Sequence, residues 1–192
     1  MPEKLGRILV VDDDEFVCSS LKWLLADEGY DVEAAADGKS ALGVLSRQSF
    51  DLVLTDLMMP DVDGLAVLRE TKRVSPNTAV IILTGYGTLE AAMSALKEGA
   101  YDFLTKPCDD GEMRYKIQGA LEQKRLRERL GELESADDRL SAARGLLDHL
   151  IDRFDADGSR LADLGAAERA AVIAGWKRAL DEIRAALGED AK

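Results

Sequence analysis

Short β-branched apolar runs alternate with amphipathic helical stretches along the first 120 residues, and several of these runs end abruptly on a polar residue. The run at 8–11 stops at Asp12, Asp13, Asp14 and Glu15, as expected of a strand buried on both faces that meets a functional loop. Phe16, Val17, Leu21, Leu24 and Leu25 then recur at helical spacing, and Gly29 supplies a stop. The alternation continues with strands at 31–35, 52–55, 80–83 and around 103–104. Helices are expected at 39–47, 65–74, 89–97 and from about 109. Five strands alternating with five helices predict an α/β chain with a doubly wound parallel sheet, because parallel crossovers place helices on both faces.

Ligands of such sheets bind at the carboxyl ends of the strands. The unusual polar residues fall there: Asp12 and Asp13 after the first strand, Asp56 after the third, Thr84 after the fourth and Lys106 after the fifth. A carboxylate attacks phosphorus poorly unless the negative charges involved are offset, which a divalent cation and a cationic side chain do. Mg2+ needs oxygen ligands and keeps several waters, so Asp12, Asp13 and Asp56 suffice to hold it. Lys106 can pair with a phosphoryl oxygen, and the Thr84 hydroxyl can donate to another. Three converging carboxylates without a cation would repel one another, so the cluster itself argues for a metal.

Four stretches carry a family resemblance: VVDDDE at 10–15, LVLTDLMMPDVDG at 52–64, IILTGYGT at 81–88 and AYDFLTKP at 100–107. Their order and spacing resemble response-regulator receiver domains over residues 5 to about 121, with TGYGT and GAYDFLTKP nearest to nitrogen-regulation-type activators. The resemblance implies a flavodoxin-like sheet order 2-1-3-4-5, with Asp56 as phosphoacceptor. It implies Asp13, Asp56 and the Met58 backbone carbonyl as magnesium ligands, with Asp12 acting mainly through a metal-bound water. Thr84 and Phe103 would be a switch pair, and the Lys106–Pro107 peptide would be cis. It further implies a histidine kinase or phosphotransfer protein as donor, and a switch that assists its own phosphorylation and dephosphorylation rather than an enzyme acting on a separate substrate. The apolar Met58 and bulky Tyr86 would slow that hydrolysis.

Beyond Leu121 the pattern becomes continuous helix, read as a linker over 122–136 and a small helical region over 137–192. Leu126, Leu133, Leu140, Leu147 and Phe154 fall seven apart, interrupted by polar Asp137 and Arg144. A turn over 155–158 and a helix with Val172, Trp176, Leu180, Ile183 and Leu187 complete an expected hairpin. Its leucine series fits a core stripe and a homodimer seam equally. No phosphate-cradling GxxxxGK loop followed by Ser or Thr appears, nor a helix-turn-helix pattern. The expected output is therefore dimerisation or a downstream protein partner, and the alternative is a transcriptional or antitermination regulator binding DNA or RNA.

Charge bears on that choice. The net charge is −12, and nine of those excess acids lie in residues 1–119, which disfavours nucleic acid and anionic membranes as partners. No apolar run approaches the roughly 18 residues of a membrane span, nothing near Met1 resembles a signal peptide, and two cysteines without metal-ligand spacing suit a reducing compartment, so a cytoplasmic location is expected. Gly85 and Gly87 do not make a dinucleotide fingerprint, since Glu90 stands at the third glycine position. His149 lacks a phosphotransfer context and reads as a surface residue. Arg153 and Leu164 would occupy ligand positions of a calcium loop around Gly158, which excludes one. Cys18 and Cys108 read as inert thiols.

Overall fold

The computed structural model describes residues 5–85, 89–132, 140–141 and 143–148 and positions 173, 175, 177, 180, 181 and 183, with side chains omitted at 89–92 and 130–132. Ten elements alternate in its first part: β1 Arg7–Val11, α1 Glu15–Asp27, β2 Asp31–Ala35, α2 Gly38–Leu45, β3 Leu52–Asp56, α3 Gly64–Val74, β4 Ala79–Thr84, α4 Leu89–Lys97, β5 Asp102–Thr105 and α5 Asp110–Glu132. The five strands form one wholly parallel sheet in the order β2-β1-β3-β4-β5. This is the expected doubly wound, flavodoxin-like arrangement.

The central strands are continuous apolar runs because water reaches neither face. Every residue of β3 and β4 is buried, as are Ile8 to Val11 of β1. Alternation within each strand divides them between two layers. Ile8, Val10, Leu52, Leu54, Ile81 and Leu83 share one core with Leu21 and Leu25 of α1 and with Met113, Ile117 and Ala120 of α5. Each fully buried side chain of this kind contributes about 2 kcal/mol. The edge strands β2 and β5 are only half-buried, which matches their more polar sequences.

Helix starts follow from local chemistry. Asp14, Asp37 and Asp63 sit in extended backbone ahead of α1, α2 and α3, and each carboxylate accepts from an otherwise orphaned backbone N–H. Capping by Asp14 agrees with its place in the acidic run. At Asp37 the backbone N–H and hydroxyl of Ser40 hold the carboxyl below its ordinary pKa.

Two compact units divide at Leu121 and Glu122, although α5 is one unbroken helix through that point, so no structural break marks the start of the expected linker. In the second unit Ala143, Leu146 and Ile183 form a small core with Leu126 half-buried against it. Of the seven-residue series, Leu126 therefore meets this core, whereas Leu140 and Leu147 are 58% and 37% exposed beside the inward positions 143 and 146. Leu133, His149, Phe154, the turn at 155–158, Val172, Trp176 and Leu187 lie outside the described residues, and with them most of the expected hairpin.

Candidate functional site

Strand register brings the strand-end polar residues together. Val11 stands beside Thr55, Asp56 beside Leu83 and Thr84 beside Thr105, so Asp12, Asp56, Thr84 and Lys106 meet at one edge of the sheet. Backbone bonds continue the ladder past the strands: the Leu57 N–H donates to the Leu83 carbonyl at 2.8 Å, and the Lys106 N–H to the Thr84 carbonyl at 2.7 Å. These hold the loops in which the side chains sit.

Carboxylate oxygens of Asp12, Asp13 and Asp56 lie within 4.8 Å of one another. Asp12 and Asp56 are buried and Asp13 is exposed. Lys106 Nζ lies 2.6 Å from Asp12 Oδ2 and 3.2 Å from Asp56 Oδ1, so the cation bridges the two buried carboxylates instead of standing apart to await a phosphoryl oxygen. Asp56 Oδ1 also accepts from the Leu57 N–H at 2.9 Å. Burial pushes the Asp56 carboxyl above its ordinary pKa, with Asp12 adding repulsion, and Lys106 only partly offsets both. Burial alone would depress Lys106, but the hydrogen bond to Asp12 and the charges of Asp12 and Asp56 leave it raised and firmly cationic. One ammonium among three carboxylates leaves an all-oxygen donor set that suits a hard divalent cation.

The remaining expected residues are placed as follows. Thr84 is buried and its hydroxyl donates to the Gly85 carbonyl at 3.3 Å. Phe103 lies opposite Ile82 in the register, two positions before the Thr84–Thr105 pair, so Thr84 and Phe103 project from the same face of the sheet. Met58 follows Asp56 in the β3–α3 loop with its side chain 64% exposed, while Tyr86 lies outside the described residues. The Lys106–Pro107 peptide is cis. Burial raises both thiols, Cys18 and Cys108, above their ordinary pKa.

Three contributors escape a reading of polar residues alone. At Gly64 a Cβ would stand 2.1 Å from the Asp56 carbonyl oxygen, and at Gly38 it would stand 2.2 Å from that of Val62. Both glycines follow a capping aspartate where a helix gains nothing from glycine, which is the available sequence signal. The third is Lys116, buried on α5, whose Nζ donates to the Phe103 carbonyl at 2.6 Å. A lysine beside the apolar stripe Met113, Ile117 and Ala120, four residues after Glu112, is its only signal.

Comparisons with known proteins agree with this geometry. The family model of the response regulator receiver domain matches residues 8–118. The transcriptional regulatory protein ZraR of Escherichia coli K12 is 45% identical over 114 residues, which is 59% of this chain and 26% of that protein. The alginate biosynthesis transcriptional regulatory protein AlgB of Pseudomonas aeruginosa is 38% identical over 132 residues, 69% of this chain and 29% of its own length. The chain thus spans less than a third of these relatives. Their names run against the expectation that nucleic acid is disfavoured as a partner. Among solved structures, a receiver domain protein of Clostridium thermocellum superposes with a TM-score of 0.61 at 39% identity, covering 64% of this chain and 98% of that one. NtrX from Brucella abortus gives 0.64 at 34% identity, covering 67% and 29%. With a sheet, a strand-end acidic cluster and a family match that all coincide over one segment, the chain belongs to the response-regulator receiver domain family of two-component signalling.

Proposed function

We propose that this chain is a phosphorylation-controlled switch in which Asp56 accepts a phosphoryl group from a histidine kinase or phosphotransfer protein. The observation that carries the reading is the position of the Asp56 carboxylate, with oxygens of Asp12 and Asp13 within 4.8 Å and Lys106 Nζ at 3.2 Å. An Asp56 oxygen attacks phosphorus, the P–N bond to the donor imidazole breaks, and its electron pair leaves with the ring nitrogen. Lys106 then neutralises a phosphoryl oxygen, and Thr84 donates its hydroxyl to another. Asp12, Asp13, Asp56 and the Met58 carbonyl would hold Mg2+, which supplies positive charge against the phosphoryl oxygens when bound. The chain takes part in its own phosphorylation and dephosphorylation and turns over no separate substrate. Two free thiols suit operation in the reducing cytosol.

The test is incorporation of label from radioactive acetyl phosphate into the full chain with Mg2+. Stoichiometric, base-labile label that fails to form when excess chelator is present from the start is expected; undiminished label formed in that chelator would sink the magnesium-assisted reading.

The output is read as self-association or capture of a protein partner. Leu140 and Leu147 are exposed seven residues apart, as are Ile173 and Leu180, and such paired apolar rows suit a second copy of the chain. A second reading, in which the output serves transcription or antitermination, draws support from relatives named transcriptional regulatory proteins. An electrophoretic shift at low salt with DNA and RNA separates the two. The self-association reading expects no salt-sensitive retention, and a shift that vanishes as salt rises would favour the second.

A further inference from the structure

Lys116 is a buried ammonium that the phosphorylation chemistry does not use. It is 8% exposed and lies on α5, between Glu112 of the same helix and Asp102 and Phe103 of β5. Besides donating to the Phe103 carbonyl, it is 3.2 Å from Asp102 Oδ1, 3.4 Å from Glu112 Oε1 and 5.2 Å from the centre of the Phe103 ring. An ammonium this well shielded from water interacts more strongly with an aromatic face than an exposed one does. The carbonyl and Asp102 contacts do not depend on where the Phe103 ring points. The ring contact does.

We propose that Lys116 is a positioning residue whose ammonium holds the Phe103 ring where it lies, so that repacking of this ring on phosphorylation must break the ammonium–ring contact and is opposed by it. The inference rests on the reading of Thr84 and Phe103 as the switch pair. It assigns the resistance of that switch to one residue that lies outside the acidic site. The same helix continues to Glu132 and carries Leu126, which packs in the small core of the second unit.

The test is a double-mutant cycle on the full chain, titrated with beryllium fluoride and Mg2+ and followed by backbone amide resonances of residues 55–57. Lys116→Met keeps the length and apolar stem of the side chain and removes the charge. It should bind the phosphoryl mimic about fivefold more tightly than the parent, because ring contact and mimic binding are linked through one equilibrium. In the Phe103→Leu background, which has no ring to hold, the same substitution should change affinity by less than about twofold. Equal effects in both backgrounds, or weaker binding with Lys116→Met, would overturn the proposal. So would a lowered thermal midpoint with unchanged affinity, which is the signature of a structural lysine. Should the variant fail to fold, the parent still decides: the Lys116 ε-methylene and Phe103 ring resonances must shift together on titration, and movement of the ring alone overturns the coupling. A parent that binds no mimic at Asp56 would overturn the acceptor reading and this proposal with it.

Discussion

Asp56→Asn is expected to abolish phosphoryl incorporation from acetyl phosphate while leaving the fold at least as stable as the parent. The amide has no anionic oxygen to attack phosphorus and no charge to help hold a divalent cation, so both requirements fail at once. Stability should survive for a separate reason. The amide oxygen still accepts from the Leu57 N–H, Lys106 retains Asp12 as its partner at 2.6 Å, and one member of a mutually repelling buried carboxylate group disappears. A carboxyl whose folded pKa is raised costs stability when ionised: that cost is absent below the unfolded value and grows as pH rises through the folded one. Replacement by the neutral isostere removes it. Label incorporation and the thermal midpoint, measured on the same preparation, check both halves. Undiminished label in the variant would remove Asp56 from the mechanism, and a sharply lowered midpoint would mean that the carboxylate charge holds the site together.

Gly64→Ala should be the most destabilising small substitution near the site. Its Cβ would stand 2.1 Å from the Asp56 carbonyl oxygen and 3.0 Å from Leu57 Cα, and both obstacles are backbone, which cannot rotate aside. The β3–α3 loop must move, which also breaks the 3.0 Å bond from the Gly64 N–H to the Leu57 carbonyl. Forced overpacking of this kind costs about 3 kcal/mol, equivalent to a thermal midpoint lowered by roughly 10 °C for a chain of this size. Gly43→Ala is the matched control. Its Cβ would meet only the guanidinium end of Arg47 at 3.3 Å, within helix α2. There alanine should stabilise by about 0.5–1 kcal/mol through helix propensity. Thermal denaturation of the two variants distinguishes close backbone approach from a generic intolerance of replacing glycine.

Much of this was legible before any coordinates. Strands buried on both faces announce themselves as unbroken apolar runs, and the polar residues of the site stand out because they end those runs. Asp12, Asp13, Asp56 and Lys106 come from three separate strand ends, yet the parallel topology alone predicts that such ends converge. Gly38 and Gly64 were harder, since their role lies in what touches them and no local pattern records a backbone arriving from another element. Lys116 sits where a surface lysine would, and only the packing of β5 against α5 reveals that it is enclosed. The leucine series left open whether its residues face a core or a partner, and the structure divides them: Leu126 packs against the small core while Leu140 and Leu147 are exposed. Seven-residue spacing identifies a stripe, but Ala143 and Leu146 face inward on a neighbouring stripe of the same helix.

Helix α2 contributes no side chain to the acidic cluster, but the seating of Gly38 against the Val62 carbonyl makes it a wall of the mould in which the loop after Asp56 is cast. Clearance at that wall is smaller than a methyl group. A slight tilt of α2 must then displace Val62 and, with it, the loop that carries the chain on from Asp56, without touching any charged residue. Residues on α2 that look like mere scaffold therefore share in fixing the path of that loop.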